Sequence, residues 1–258
     1  MILAVETSST ACSVALQPEK EPTQIIHRWV DGRQEHSKQL LPFIQQCLEE
    51  ASGSFEQGML NLEQVIIGNG PGSYTGLRIA GSALRGLLFR RSIPVKVVST
   101  LSMLAASVIA TEGIQEVSKR TLIPELKDVL LKTHTSEFEI QAIIDARGGY
   151  YYHRAFYCSS YSIVPTTEAR RVHSEELYDA WERQSRKLLI GSGAEHFRDQ
   201  LSAPGNYIWQ DLPAQFHASN LLKVWHLDMP DSMEDHAIEH LEPYYLGNNQ
   251  VNNTRISS

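Results

Sequence analysis

The sequence predicts an α/β fold of two related lobes, each built on a mixed sheet, and three observations predict it. The stretch 65–91, VIIGNGPGSYTGLRIAGSALRGLLFRR, passes from an apolar strand through a glycine-rich turn into a helix pattern. Three short strand patterns come before it, at 2–6 (ILAVE), 12–17 (CSVALQ) and 24–30 (QIIHRWV), joined by the turn-like TSST and PEKEP. From Gln141 the theme returns in shorter form, with AIIDA as a buried strand, a turn at Arg147–Gly149, and YYYHRAFYC alternating as a strand. Strands alternating with helices make an α/β layer, and its repetition implies an internally duplicated fold.

Taken in order, the first strands form an antiparallel meander because their connections are too short for a crossover. Leu40, Leu41, Ile44, Cys47 and Leu48 then mark one helix face, with Pro42 fitting best in the first turn, where its missing N–H is not needed. Ser52 to Gly58 reads as a loop. After the strand at Val65–Ile67, Gly68, Gly70 and Gly72 with Pro71 make a turn, and Ser73 or Thr75 caps the helix that follows. Apolar positions 77, 80, 84, 87 and 88 keep helical spacing. The small residues Gly76, Ala80, Gly81, Ala83 and Gly86 share that helix, and glycine costs a helix about 1 kcal/mol per residue, so another backbone is expected close by.

A strand at Val95–Val98 and a helix from Leu101 to Ala110 complete the first lobe. Residues 111–139 suggest a short helix after Pro124 within an insertion. In the second unit, further strands are expected at 162–164 and 188–190. Helices are expected from Ser174, which caps SEELYDAWERQS, near 194–201 and near 218–227. The expected division is 1–110 for the first lobe with its partner-binding helices, 111–140 for an insertion or linker, and 141–258 for the second lobe, its C-terminal segment returning to the first.

Bulk composition narrows the function. The chain is 42% hydrophobic and 21% charged, ordinary for a globular protein, and no apolar run approaches a membrane span. MILAVETSS has neither basic n-region nor cleavage site, and Cys12, Cys47 and Cys158 have no CxxC spacing, so a reducing cytoplasm is expected. A net charge of −7 argues against gripping nucleic acid unaided. The charge is uneven: no acid lies between Glu63 and Glu112, where Arg78, Arg85, Arg90, Arg91 and Lys96 all fall. The rest of the chain holds 18 basic residues against 30 acidic ones, so the basic island coincides with the glycine turn and its helix.

That stretch has three candidate uses: a tightly packed core helix, a phosphate cradle, or a helix docking on another subunit. Glu6 and Asp145 end the first strands of the two units and would hold a metal or water beside a phosphate; each would otherwise cap its own turn. His236 and His240 stand one helical turn apart, but lack a third metal ligand, so a charged turn is the better reading. GNGPGSYTG lacks the GK[ST] ending of a Walker A loop, and GSYTG is not a GxSxG elbow. Tyr150–Tyr152 with Phe156 and Tyr157 alternate as core and sheet surface.

VETSSTACSVAL, EHSKQLLPFI, GNGPGSYTGLRIA, VSTLSMLA, AIIDARGGYYY and EPYYLGNNQV resemble the bacterial TsaB (YeaZ) family from residue 2 to about 251. The resemblance implies a duplicated actin-like (ASKHA, RNase H-like) fold and a role in making threonylcarbamoyladenosine at position 37 of tRNA. It implies a non-catalytic subunit that pairs with the catalytic TsaD, with the ATPase TsaE joining them and tRNA engaged only through the complex. The HxxxH metal pair of the catalytic relative falls at Thr100 and Leu104 here, so no catalytic residue and no metal is expected.

The expected partner interface comprises Leu40, Leu41, Ile44, Tyr74, Leu77, Arg78, Ala80, Gly81, Leu84 and Arg85, on helices at 37–50 and 73–90 that would also form a homodimer when the chain is alone. Ala80→Arg is expected to block assembly without unfolding. A vestigial nucleotide site would comprise Glu6, Thr7, Gly70, Gly72 and Asp145, with no tightly bound cofactor and ATP or ADP only at the complex interface. Glu6 stands where many family members have aspartate. The alternative is a nucleotide-dependent ASKHA transferase or kinase using Glu6, Asp145 and the Gly70–Gly72 loop.

Overall fold

The computed structural model describes residues 1–19, 24–32, 35–109, 138–159, 162–181, 187–200, 207–208, 215–227, 229, 233–236 and 238. Strands β1 (Ile2–Glu6), β2 (Ala11–Gln17) and β3 (Ile26–Asp31) form an antiparallel meander, with Glu6 opposite Ser13 and Ser13 opposite Trp29. Helices α1 (His36–Ser52) and α2 (Phe55–Leu60) lead to β4 (Gln64–Gly68), parallel to β1 and wholly buried. A strand covered on both faces explains the unbroken apolar run at Val65–Ile67. Helix α3 (Tyr74–Leu87) returns the chain to β5 (Val95–Val98), parallel to β4, and α4 (Thr100–Ala106) follows.

The second lobe repeats the plan. Strands β6 (Phe138–Asp145) and β7 (Tyr150–Cys158) are antiparallel, and β8 (Ile163–Pro165) and β9 (Arg170–His173) both pair with β7. Helix α5 (Ser174–Trp181) precedes β10 (Lys187–Ile190), which runs parallel to β6; a 3-10 helix at Ala194–Gln200 precedes β11 (Tyr207–Ile208), parallel to β10. Helix α6 (Ser219–Leu227) and strand β12 (Met233–His236) follow. The sheet orders are β12-β5-β4-β1-β2-β3 and β11-β10-β6-β7-β8, so the first strand of each unit has an antiparallel hairpin partner on one side and a parallel crossover strand on the other. This shared order is the duplication. Strand β12 pairs antiparallel with β5, bringing the late chain back to the first sheet.

Several local expectations are corrected. Residues 52–58, expected as a loop, lead into α2, because Ser54 caps it by accepting from the N–H of Gln57 at 3.2 Å. Helix α1 starts at His36, so Pro42 lies inside it; both Pro42 and Lys38, whose carbonyl loses a donor there, are exposed, where the lost bond costs least. Strand β6 starts at Phe138, upstream of the expected Gln141, and β9 was not anticipated. His236 sits on a strand rather than a turn or helix, and its Nε2 lies 3.3 Å from Glu234 Oε2. His240, the EPYYL segment and the 111–137 insertion lie outside the described residues.

The core has three parts. Helices α1 and α3 cover the outer face of the first sheet through Leu40, Ile44, Leu48, Ala80 and Leu84. Between the two sheets, α4 and α6 pack against residues of both, including Ala4, Ile66, Ile140 and Ile190. Helix α4 (TLSMLAA) is buried all round, as a helix without charges must be. The outer face of the second sheet carries Leu177 and Phe197.

Candidate functional site

Helices α1 and α3 lie side by side on the first sheet, and between them an open groove of about 530 Å³ faces outward, lined by Leu41, Tyr74, Thr75, Arg78, Ser82 and Ala83 among others. The local sequence fixes their orientation. On α3 the Ser73 hydroxyl accepts from the N–H of Gly76 at 3.2 Å, which starts the helix and turns Leu77, Ala80, Gly81 and Leu84 toward the sheet. The opposite stripe is solvent-facing: Tyr74 is 50% exposed, Phe89 just beyond the helix 69%, and Leu41 on the neighbouring α1 52%. Arg78 and Arg85 belong to this stripe, and the Arg78 guanidinium lies 4.2 Å over the Tyr74 ring.

The expected interface residues therefore divide. Leu41, Tyr74, Arg78 and Arg85 are at the surface. Leu40, Ile44, Leu77, Ala80, Gly81 and Leu84 are buried within the chain itself. The correction has a simple physical reason. A helix on a sheet spends its apolar stripe on that sheet, so the residues most conspicuous in the pattern are those unavailable to a partner. Thr75, Ser82 and Phe89 were missed; their signal was their position one helical turn from Arg78 or Arg85, and Ile79 and Ala83 also line the groove.

The glycine turn is likewise occupied by the chain's own backbone. A Cβ at Gly76 would overlap the Thr7 carbonyl, one at Gly72 the Ser8 carbonyl, and one at Gly68 the Glu6 Oε2. Ser73 N–H donates to the Ser8 carbonyl at 2.6 Å, and Thr100 N–H to the Gly70 carbonyl at 2.8 Å. Gly70 takes φ of 99°, a backbone angle that favours glycine. At Gly76 the close approach expected on α3 is that of the β1–β2 turn.

Glu6 is fully buried; its Oε1 accepts from Ser8 N–H, and its Oε2 has no hydrogen-bond partner. Burial raises its pKa from 4.5 to about 7, against the opposing pull of the Ser8 side chain and the Ser8 and Thr7 backbone. Thr7 is buried, and its hydroxyl donates to the Gly76 carbonyl at 3.0 Å.

These residues do not fit a nucleotide phosphate. The fold brings Glu6, Thr7, Gly70 and Gly72 together, but the turn's surface is consumed by packing, and Glu6 fills the space beside Gly68 that a ligand oxygen would need. Asp145 is exposed on the other sheet, where its Oδ1 accepts from Arg147 N–H at 2.7 Å and so closes its own turn. Thr100 and Leu104 are both buried on α4. Among the described residues no group of three or more His, Cys, Asp or Glu side chains is placed to hold a metal ion, and no helix is long and apolar enough to cross a membrane.

Comparisons with known proteins bear on the same features. Residues 31–117, which hold α1, α3 and the glycine turn, match the family model described as TsaD, tRNA N6-adenosine threonylcarbamoyltransferase. The chain is 28% identical to the Escherichia coli tRNA threonylcarbamoyladenosine biosynthesis protein TsaB, over 96% of this chain and 95% of that protein. It is 35% identical to the Haemophilus influenzae protein of the same description, over 40% of this chain and 41% of that protein.

Two solved structures share the fold. A protein described as similar to peptidase YEAZ from Pseudomonas aeruginosa superposes with a TM-score of 0.69 at 23% identity, covering 95% of this chain and 99% of that one. YeaZ from Pseudomonas aeruginosa superposes with a TM-score of 0.67 at the same identity and coverage. The two mixed sheets with a shared strand order agree with the actin-like ASKHA arrangement. With a relative aligned over nearly the whole of both chains and the fold shared with the YeaZ structures, the chain is similar to TsaB/YeaZ proteins along nearly its whole length.

Proposed function

We propose that the chain is a non-catalytic subunit in the biosynthesis of threonylcarbamoyladenosine on tRNA, and that it works by presenting the α1/α3 face to a TsaD-like catalytic partner. The observation that carries this reading is that face: two helices whose buried stripes are spent on the sheet, yet whose outer stripes keep Leu41, Tyr74 and Phe89 in solvent around an open groove. A related fold on the partner would offer the matching helix pair, so that two helices from each chain pack together. In this reading a TsaE-like ATPase joins the pair, any ATP or ADP is held at the complex interface, and tRNA is engaged by the complex.

The test is reconstitution. The chain, the catalytic subunit and the ATPase are purified separately and assayed for modified tRNA, with each omitted in turn. Loss of product without this chain, restored by adding it back, is the expected result. Ser82→Trp, at the exposed centre of the groove, should abolish pairing on a sizing column while leaving the monomer's melting temperature unchanged. Tight binding of Mg-ATP by the isolated chain with turnover would overturn the reading.

A further inference from the structure

Taking from the proposed function only that the substrate is an RNA, we infer that the second lobe contacts unpaired nucleotides of it at the corner where β7 meets β9. There an unstacked base lies against the Arg171 guanidinium, and a neighbouring phosphate pairs with Arg147. A second basic stretch marks this corner in the sequence. Between Asp145 and Glu175 the chain carries Arg147, Arg154, Arg170 and Arg171 against a single acid, Glu168. Two of these arginines are placed elsewhere. Arg154 is buried and donates to the Thr167 carbonyl at 3.1 Å, and Arg170 shares the outer face of the sheet with Val172.

Arg171 and His173 point to the opposite face, where Tyr152 and Tyr150 pair with them in register. The Arg171 guanidinium lies 3.8 Å over the Tyr150 ring, and His173 meets the same ring edge-on at 5.2 Å. All three side chains are half-buried. A guanidinium held against an aromatic ring is a flat cationic surface on which a base stacks. Arg147 stands beside this pile in the turn from β6 to β7, its carbonyl accepting from Tyr150 N–H at 3.2 Å. It takes φ of 64°, an angle that glycine reaches freely and arginine only at a cost. No contact within the described residues repays that cost: the side chain is exposed, and among those residues its guanidinium makes no hydrogen bond or ion pair. The turn is pinned around it, with Ser174 N–H donating to the Gly149 carbonyl at 3.0 Å. The acids at this corner are engaged elsewhere. Asp145 Oδ1 accepts from Arg147 N–H at 2.7 Å, and Glu175 Oε2 lies 3.6 Å from His173 Nδ1. A duplex would hide its bases from the stacked pair, and an acidic peptide would leave that pair unused. The net charge of −7 repels RNA as a whole, so this is a local contact added to those of the assembled complex.

The experiment is fluorescence anisotropy of the full-length chain with a labelled single-stranded RNA of about 12 nucleotides, at about 50 mM and about 200 mM NaCl. Two arginine contacts should weaken binding by about sevenfold over this range, and Arg147→Ala should cut that salt dependence to about threefold. Arg171→Lys, which keeps the charge but loses the flat surface, should weaken binding by about tenfold. Duplex RNA of the same length should bind about tenfold more weakly than the single strand. Arg170→Ala removes an exposed arginine of the same strand on the other face, and should leave binding within about twofold of the unmodified chain.

No binding at low salt, equal binding of the duplex or of polyglutamate, or a loss with Arg170→Ala as large as with Arg147→Ala would overturn the inference. If the reconstituted assay needs this chain while Arg147→Ala and Arg171→Lys bind RNA normally, the proposed function stands and this contact falls. If the variants lose RNA binding as expected while the assay runs without the chain, the contact stands and the proposed function falls. A thermal melt of each variant confirms that the chain is folded, and Arg147, exposed on its turn, keeps the test decisive should Arg171→Lys disturb the sheet.

Discussion

At the scale of single residues, Glu6 shows how one methylene changes a site. It ends β1 where its carboxylate reaches back to the N–H of Ser8 and over Gly68, so a side chain that could have faced a ligand instead plugs the space. Its pKa of about 7, raised by burial above its ordinary 4.5, makes it a stability sensor. The folded chain holds this proton through a range in which the unfolded chain has lost it. The contribution of Glu6 to stability is therefore full below pH 4.5 and declines as pH rises toward 7. Glu6→Gln should remove that decline, leaving the variant more stable than the unmodified chain at pH 8 by up to about 3 kcal/mol; urea titrations of both proteins at pH 5 and pH 8 measure it.

At the scale of elements, α3 is the informative one, because its two faces obey different rules. Its inner face is joined to the β1–β2 turn and the sheet. Gly76→Ala should cost about 2 kcal/mol or more in a denaturant titration, since the new methyl group overlaps the Thr7 carbonyl. Gly86→Ala is the matched contrast: Gly86 is exposed, and nothing beyond its own stretch of helix lies within 4 Å of where the new methyl group would sit. Alanine there should stabilise the chain by about 0.5–1 kcal/mol.

Ala80→Arg, which the sequence pattern offered as a clean interface mutation, should instead unfold the chain. Ala80 is fully buried, and an arginine there would place an unpaired charge against the sheet. Its circular dichroism spectrum at 25 °C would separate the two outcomes. The outer face of α3 is the one on which substitutions should act on assembly and leave the monomer alone.

At the scale of the whole molecule, the two lobes are tied by helices that belong to neither surface. Helix α6 lies between the sheets with α4; Ala218 N–H donates to Ser13 Oγ at 2.8 Å, and His226 Nε2 meets Gln17 Oε1 at 3.0 Å. Ser13 is also 2.8 Å from His27 Nε2, whose pKa is lowered to about 4, chiefly by burial and then by the neighbouring His217, so the ring enters this seam uncharged at neutral pH.

Lys223 is buried on α6, its Nζ donating to the Ser107 carbonyl at 3.4 Å, and burial lowers its pKa from 10.5 to about 7. Its sign is opposite to that of Glu6. Between pH 7 and 10.5 the unfolded chain holds a proton that the folded chain has released, so this lysine's penalty is full at acid pH and fades as pH rises. Lys223→Met should therefore raise the melting temperature at pH 6 by several degrees and change it little near pH 10, a difference that calorimetry reads directly. A shared inter-sheet core also predicts one unfolding transition for both lobes, with tryptophan fluorescence and far-ultraviolet circular dichroism coinciding.

Local pattern alone specified the strand meander, the strand–turn–helix unit at 65–91 with its cap at Ser73 or Thr75, and the repetition of the plan from β6, because hydrophobic period, glycine turns and caps act over a few residues and need no neighbour. It also located the basic island, since charge is counted along the chain. Only the tertiary structure decided which face of α3 is spent on the sheet and which is free. Ala80 and Gly76 looked like interface residues because small size signals a close backbone without saying whose. At Gly76 that backbone is the chain's own turn at Thr7, while Ala80 is fully buried in the core beneath the helix. The same holds for Glu6, legible as an acid at a strand end but not as a plug, and for β12, whose strand character depends on pairing with β5 far away in the chain. Short-range patterns are written in the sequence; the partner of each pattern is settled only when the lobes close on each other.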